Sequence, residues 1–490
     1  MIKLVVVELK KIFKKKSIYV IWGLMFGFCL LNNILYYRDY DDNGNYKYLE
    51  LDNLKEEKLK LEEELLQYNK DNQNEVTMYI TIKTKLDILK LKENFSNSSW
   101  QYHKVNTYLY DIIYQINYYQ YIEKNIDELT KKKEEYQVVL NKLNENNYKY
   151  FLNMEIKKNV DIQNELKKQY LNENDDKIKL DLQEQVKNNE LTLKILNYRL
   201  NNDIKEDNSY LNLALESYQE NYKTVKYFEE LGDIKSYQDK LDYQEALSEV
   251  KISQYIVENK LNINKQNNLS FQLRTIVEDY EIFIVMLVLI VSGVIICDEF
   301  RDGTIKLLLI KPYSRGRILL SKYFTSIIVV LISILLLIAM QLIIGGIIFG
   351  LESLNIPVVV YDFDKAKLVE YSVFQYMIIR IGARMPFLLM LITISIFLGV
   401  IFSSTIISIT MPLIFYMFSS TILNLASQYK LEIMKYLVNF NWNLQDYLFG
   451  RLPANSFINF RFSIIILLGY FIVLWTVTYI IFKKKDIKNI

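Results

Sequence analysis

The sequence predicts an all-α membrane protein in which six transmembrane helices carry one large, polar helical domain. Three observations lead to this fold class. Long runs without charge lie near both ends of the chain, the segment 38–281 is nearly free of helix breakers, and basic residues are concentrated in three short segments. A chain of 490 residues could form two or three soluble domains instead, but the apolar residues are too unevenly distributed for that interpretation.

The spans follow from uncharged runs of sufficient length. Residues 17–37 are 21 uncharged residues, which at about 1.5 Å of rise each cross a hydrocarbon core of roughly 30 Å. This first run could be a secretory signal, but it lacks a small-x-small cleavage site, so we interpret it as a retained anchor. The run 385–429 is too long for one helix, and we place a turn near residues 402–405. The predicted spans are 17–37, 282–297, 323–351, 385–403, 405–429 and 462–482.

Basic residues predict that both termini are cytoplasmic. Segments 1–16, 298–322 and 483–490 hold 16 basic and 5 acidic residues, and cationic flanks tend to stay in the cytoplasm. Six spans place these three segments on one side, so the charge rule and the span count agree. Richness in Lys, Asn, Ile and Tyr indicates an AT-rich bacterial genome, hence a bacterial plasma membrane. The segments on the outer side are then 38–281, 352–384 and 430–461.

The outer segment 38–281 is predicted to form long antiparallel helices, as a stalk or coiled-coil hairpin. It contains two glycines and no proline, and leucines recur at spacings of three and four within 51–65 and 182–200. Both cysteines, Cys29 and Cys297, belong to predicted spans, so this segment has no disulfide. Two roles stay open: a docking platform for an extracellular ligand or protein, and a solvated helical spacer.

Several kinds of chemistry lack the residues they need. The chain contains no Gly-Lys pair and therefore no phosphate-binding P-loop. His103 is the only histidine, which argues against metal-ligand or general-base roles. We expect no catalytic, cofactor or metal site in this chain and no nucleic-acid partner. The span interiors carry no Asp, Glu, Lys or Arg, so the small polar residues left to line a path include Ser292, Gln341, Thr393 and Ser395.

The connector 298–322 between the second and third spans is crowded with charge. Gly303 permits a sharp turn, residues 304–310 are predicted to form a short surface helix, Pro312 ends it, and Ser314 can cap the helix that continues into the third span. The connector could simply be a basic loop that determines topology. Its three acidic residues weaken that interpretation, because a topology signal gains nothing from them.

The connector resembles the cytoplasmic coupling loop of ABC-2 type transporter permeases. Two other features are similar to that family: a basic amphipathic helix before the first span, with an apolar face of Ile2, Val5, Leu9, Ile12 and Phe13, and a candidate re-entrant hairpin at 437–448. In that family the loop seats in a groove of a separate ATP-binding subunit. The residues that carry the resemblance, and that it implies contact the ATPase, are Glu299, Arg301, Gly303, Thr304, Pro312, Ser314, Arg315 and Lys322.

The resemblance implies the membrane subunit of a bacterial ABC exporter for an amphiphilic substrate such as a drug, an antimicrobial peptide or a lipid. Two copies of a separate ATPase would bind ATP and Mg²⁺, and a second copy or a similar permease would complete the transporter. The alternative is a non-transporting surface receptor or scaffold, of the phage-receptor or secretion-system kind, that keeps this membrane domain as an anchor. A neighbouring ATPase would distinguish the two.

Overall fold

The computed structural model describes residues 1–39, 49–96, 99–123, 125–207, 209–263, 265, 267–303, 313–429, 431–453 and 456–485. The chain divides into two compact units. The first comprises residues 1–37, 234–244 and 266–490, and the second comprises residues 38–233 and 245–265. Helices dominate both units, and the described part of the chain contains six helices long and apolar enough to cross a membrane. These findings support an all-α membrane protein.

The secondary structure elements are defined here in chain order. The helices are α1 (Ile2–Ile12), α2 (Lys16–Asp39), α3 (Leu49–Leu65), α4 (Val76–Lys92), α5 (Trp100–Tyr118), α6 (Ile126–Asn144), α7 (Tyr148–Asn172), α8 (Asp176–Asn202), α9 (Tyr210–Leu231), α10 (Tyr237–Asn259), α11 (Leu269–Arg274), α12 (Ile276–Asp279), α13 (Glu281–Arg301), α14 (Arg315–Phe349), α15 (Val373–Phe402), α16 (Thr405–Met417), α17 (Ser419–Gln428), α18 (Val438–Asn441) and α19 (Phe460–Lys484). Two strands, β1 (Val358–Asp362) and β2 (Lys367–Tyr371), lie between α14 and α15.

The hairpin of β1 and β2 is an addition to the expected helices. Pro357 precedes β1, and Val358, Val359 and Val360 are β-branched, which favours a strand. The two strands pair antiparallel, with Val360 opposite Val369. The first strand is buried along its whole length and the second is not. Packing therefore holds the first strand of the hairpin in place. The lengths of the uncharged runs had predicted only a loop in this segment, 352–384.

Two spans have different bounds from those that uncharged runs predict. Helix α15 begins at Val373, well before residue 385, because Ser372 and Gln375 form a reciprocal capping box. The run 405–429 is two helices, α16 and α17, which meet at Phe418. The early start of α15 brings two charged residues, Arg380 and Arg384, into its first turns. An uncharged-run criterion excludes such turns although they are helical.

Close packing of small residues joins α13, α15 and α16. A Cβ atom added to Gly399 would lie 2.5 Å from Ile296 Cγ2, and one added to Gly293 would lie 2.9 Å from Ile409 Cγ1. Ser408 Oγ donates to the Ser395 carbonyl at 2.6 Å. Small residues allow helix backbones to approach closely where apolar burial alone gives little selectivity. Ser395, a candidate for lining a path, is therefore part of the helix packing.

A reciprocal amide pair joins α2 to α14. Gln341 Nε2 donates to Asn33 Oδ1 at 2.8 Å, and Asn33 Nδ2 donates to Gln341 Oε1 at 3.1 Å. Both side chains are fully buried. Their amide groups satisfy each other, as buried polar groups must to avoid a desolvation cost. Gln341 thus holds two spans together.

The second unit is built from helices that pack side by side, including the long pair α7 and α8. Asn189 of α8 donates to the Asn159 carbonyl at 2.8 Å and to Gln163 Oε1 at 2.7 Å, both on α7. A hydrophobic cluster around Trp100 and Phe151 draws residues from α4, α5, α6, α7 and α8. Tyr108 stacks on Phe151 with 4.4 Å between ring centroids. Tyr108 is partly buried and packs against this cluster.

Candidate functional site

The connector is described on both sides of residues 304–312. Gly303 has a φ of +65°, which suits glycine and ends α13 in a sharp turn. Ser314 Oγ accepts the Arg317 backbone N–H at 3.4 Å and caps α14. The turn at Gly303 and the cap at Ser314 are confirmed. Thr304, Pro312 and the surface helix expected at 304–310 lie outside the described residues.

A buried ion cluster lies where the connector's two helices meet α1. Lys322 of α14 is fully buried, and its Nζ lies 3.3 Å from Glu8 Oε2, 3.4 Å from Glu299 Oε1 and 2.8 Å from the Ile295 carbonyl oxygen. Glu8 and Glu299 are 2% and 5% exposed. We name Glu8, Lys11, Glu299 and Lys322 the lysine cluster. Its ion pairs join α1, α13 and α14 at one point.

The cluster balances two carboxylates against two ammonium groups. Lys11 Nζ lies 2.6 Å from Glu299 Oε1 and 3.8 Å from Glu8 Oε1. Burial alone would lower the pKa of Lys11, but its hydrogen bond to Glu299 and the nearby Glu8 carboxylate raise that pKa overall. Removing charges from water is costly, and mutual pairing offsets the cost. No charge in the cluster is therefore left uncompensated.

The sequence did not identify Glu8 as a partner of this connector. It is the one acidic residue among the first 16 residues, and it shares a buried face with Leu4 and Ile12. This face differs from the expected one, since Ile2 is 81% exposed. A single carboxylate on the buried face of a basic helix could have suggested a buried ion pair. Its partner, Lys322, could not be identified from the sequence.

Around the lysine cluster the charges become exposed. Asp298 pairs with Lys15 and with Arg301, whose Nη2 lies 2.8 Å from Asp298 Oδ1. The Arg301 and Asp302 side chains are 59% and 52% exposed. Among the residues expected to contact an ATPase, Glu299 and Lys322 are thus buried inside this chain, while Arg301 is exposed. The prediction that these residues bind an ATPase stays a prediction.

Two further cations bind helix carboxyl ends near the connector. Arg315 Nη1 donates to the Phe482 and Lys483 carbonyls at 3.1 and 2.6 Å. Lys485 donates to the Val400 carbonyl and to Ser403 Oγ, at the end of α15. Burial lowers the pKa of Lys485. Cations at these ends satisfy carbonyls that have no helical partner and oppose the negative end of the helix dipole.

The opposite end of the span bundle holds a second polar site. Arg384 of α15 pairs with Glu281 and with Asn443 Oδ1, and Tyr416 donates to Glu281 Oε1 at 2.8 Å. Helix α13 runs from Glu281 here to Glu299 in the lysine cluster, which at about 1.5 Å per residue is roughly 27 Å. The sequence missed this site because its residues come from four segments that are distant in the chain.

A cavity of about 320 Å³ opens at this second site. We name it the Arg384 cavity. Its lining mixes aromatic and aliphatic side chains with hydroxyls, amides and carboxylates. Asn439 of α18 lines it, is 2% exposed, and has no hydrogen-bond partner for either amide atom among the described residues. Asp446 also lines it, and burial raises its pKa while the hydrogen bonds from Asn443 lower it.

The second unit contains a cavity of about 420 Å³ whose lining is mostly polar and includes His103, Lys104 and Glu155. Lys104 lies between Glu155, at 3.4 Å, and Glu206. His103 therefore belongs to a polar cavity. No group of three or more His, Cys, Asp or Glu suited to a metal ion occurs in the part of the chain that the structure describes.

The family model that matches this chain covers the segment that holds the Arg384 cavity and the connector. A family described as "Protein of unknown function (DUF2705)" matches residues 250–488. The Bacillus subtilis (strain 168) protein described as "Uncharacterized protein YhcI" is 28% identical over 201 residues, which are 41% of this chain and 64% of that relative. The chain thus spans 64% of the length of the relative it matches. No solved structure matches the chain.

Proposed function

We propose that this chain is the transmembrane subunit of an ATP-driven exporter and receives force through the connector between α13 and α14. A separate ATPase, in two copies, supplies that force. The proposal places the exposed Arg301 and Asp302 on the face that meets the ATPase. It keeps the sidedness expected from the sequence, with the connector in the cytoplasm.

The observation that carries the proposal is the lysine cluster. It joins α1, α13 and α14 through buried charges that are costly to separate, since breaking a buried pair costs about 3–5 kcal/mol. A displacement of the connector is therefore passed to both spans together. Rigid coupling of two helices to one input is a common way to move a membrane bundle between states.

The proposed cargo is an amphiphile that moves at the interface of two such subunits. The described span interiors use their polar residues for packing, as Ser395 and Gln341 do. This favours a path between copies over a path within one chain. We propose a homodimer, or a pair with a similar permease, as the working assembly.

Purification of the tagged full-length chain from its native membranes tests the proposal. We expect ATP hydrolysis in the purified material, and we expect Arg301→Glu to lower it several-fold by reversing a charge on the proposed docking face. Arg461→Glu is the matched control, because Arg461 is also exposed and lies at the start of α19, away from the connector. Its hydrolysis should equal that of the wild type.

Absence of a co-purifying ATPase would contradict the proposal. It would favour the non-transporting receptor or scaffold instead. Equal losses for Arg301→Glu and Arg461→Glu would contradict the assignment of the docking face, because a specific interface responds to the connector charge alone.

A further inference from the structure

Asn439 is a buried amide that lines the Arg384 cavity. It lies in the four-residue helix α18 and is 2% exposed. Neither its Oδ1 nor its Nδ2 has a hydrogen-bond partner among the described residues. A buried donor and acceptor that stay unpaired lower stability, because both lose their hydrogen bonds to water on folding. A group that pairs both atoms would be stabilised correspondingly.

The next asparagine of the same helix shows the opposite arrangement. Asn441 is 1% exposed, and its Nδ2 donates to the Lys435 and Leu437 carbonyls at 2.7 and 2.9 Å. Its Oδ1 accepts the Ser463 hydroxyl at 3.0 Å. The fold therefore satisfies a buried amide completely at this helix where the amide has a structural role. Asn439 lines the Arg384 cavity instead.

Charges around the cavity compensate one another. Arg384 pairs with Glu281, and Asp446 accepts two hydrogen bonds from Asn443 Nδ2, both at 2.7 Å. Arg380 and Arg384 both act on Asp446 electrostatically. A charged ligand would have to break one of these pairs and would leave its former partner buried, which is unfavourable. The cavity therefore suits a neutral ligand.

The walls supply apolar contact on either side of the free amide. Phe440 within α18 and Trp442 directly after it line the cavity, as do Leu423, Pro453 and Ile458. Ligand cavities commonly combine such apolar walls with a few polar groups that set orientation. An apolar chain with one neutral polar group satisfies both features. The polar group needs one donor and one acceptor side by side, which is the pattern of a primary amide, whose syn N–H lies beside its carbonyl.

We propose that the Arg384 cavity binds the amide group of a neutral, amide-bearing amphiphile. The ligand N–H donates to Asn439 Oδ1, and the ligand carbonyl accepts from Asn439 Nδ2. The apolar part lies against the aromatic and aliphatic walls. As a statement about cargo the inference rests on the proposed function, whereas binding requires this chain alone.

Two matched probes test the inference on the full-length chain in lipid nanodiscs. Dodecanamide and methyl dodecanoate have the same chain length and carbonyl, but the ester lacks the N–H donors. Binding is measured from the rise of the unfolding temperature with free probe concentration, corrected for partition into empty nanodiscs. We expect the amide to bind at least tenfold more tightly than the ester.

Two variants separate a ligand role from a structural one. Asn439→Leu removes two unpaired groups, so its unfolding temperature without probe should equal or exceed that of the wild type, and its preference for the amide should disappear. Asn441→Leu removes three hydrogen bonds, so its unfolding temperature should fall while the preference remains. If Asn441→Leu cannot be purified, Ser463→Ala serves as the control variant instead, because it removes one of the three hydrogen bonds.

Three results would overturn the inference. The wild type could bind both probes equally, as it would if the cavity held only water. That result would count against the inference even if Asn439→Leu is more stable than the wild type. Asn439→Leu could keep the amide preference. Asn439→Leu could unfold at a lower temperature, or fail to fold, as expected for a structural asparagine. A missing ATPase in the purified material would affect only the proposed function, because no probe measurement depends on ATP.

Discussion

Lys322 and Asn439 are both buried polar side chains, at opposite ends of one bundle of spans, and they differ in how their polar groups are satisfied. Lys322 has two carboxylates and a carbonyl within 3.4 Å. Asn439 has no partner among the described residues and borders a cavity of about 320 Å³. A fully paired group specifies how helices pack, whereas the Asn439 amide beside the cavity is the group that we propose binds a ligand.

The two ends of α15 also differ, in how closely neighbouring atoms approach a glycine of this helix. Near the lysine cluster, Gly399 contacts α13 so closely that no side chain fits. Near the Arg384 cavity, Gly382 has no atom within 4 Å of the position of an added Cβ. Gly399 therefore faces a tightly packed helix interface, whereas Gly382 lies on an exposed part of α15. The three predictions below test this difference, from the largest expected effect to the smallest.

Lys322→Met should produce the largest loss of stability. It leaves Glu8 and Glu299 buried with only Lys11 to compensate them, and removal of one partner of a buried ion pair costs about 3–5 kcal/mol. The measurement is the midpoint of thermal unfolding in detergent. Lys11→Met is the control, and its effect should be smaller because the Lys11 side chain is 45% exposed.

Neutralising the three buried members of the lysine cluster should restore most of that loss. The variant that combines Glu8→Gln, Glu299→Gln and Lys322→Met no longer buries an unpaired carboxylate. If Lys322→Met alone unfolds at the wild-type temperature, the cluster does not hold the three helices together, and the contrast between the two ends fails.

Gly399→Leu should have the intermediate effect. The added Cβ would lie 2.5 Å from Ile296 Cγ2 and 3.0 Å from Cys297 Sγ, and overpacking of this kind costs about 1–3 kcal/mol. Gly382→Leu on the same helix is the control. It meets no neighbour and should be neutral or stabilising by up to about 1 kcal/mol, since glycine is a poor helix former.

Unfolding midpoints of the two glycine variants provide the test. A similar loss for both would show that α15 is packed equally tightly at its two ends. A loss for Gly382→Leu alone would reverse the comparison.

Asp446→Asn should have the smallest effect and a characteristic pH dependence. Burial raises the pKa of Asp446 in the folded state above its value in the unfolded chain. The folded state therefore binds this proton more readily, so wild-type stability falls as the pH rises through the interval between the two pKa values. The asparagine variant lacks this loss, and it should be more stable than the wild type at neutral pH, with the difference shrinking on acidification.

Asp362→Asn is the control of opposite sign. The hydrogen bond from Lys365 lowers the pKa of Asp362, so its contribution is present at neutral pH and is lost as the pH falls through that lowered pKa. Unfolding midpoints between pH 4 and 8 distinguish the two signs. Parallel curves for wild type and Asp446→Asn would show that Asp446 titrates as it does in the unfolded chain.

Residue patterns were sufficient for features that depend on neighbours along the chain. Uncharged runs identified all six apolar helices, Gly303 marked its turn, and Ser314 marked its cap. The long helices of the second unit followed from the scarcity of glycine and proline in 38–281. Local sterics, hydrogen bonding of the first helical turn and transfer of side chains from water act over a few residues, so a single sequence reveals them.

Other features depended on residues that the fold brings together from distant parts of the chain. Glu8 and Lys322 are 314 positions apart, and Arg384 and Glu281 are 103 positions apart. No local sequence pattern indicates that Lys322 is buried or that the Asn441 amide is hydrogen-bonded. The same holds for the lack of a partner for Asn439 among the described residues.

By itself, then, the sequence determined which segments are helical and apolar enough for a membrane, because these properties arise from local composition and periodicity. Only the tertiary structure decided which polar groups are satisfied and which face a cavity. The reason is physical: pairing energies and cavities depend on distances of a few ångströms between helices, and those distances exist only after the helices have packed.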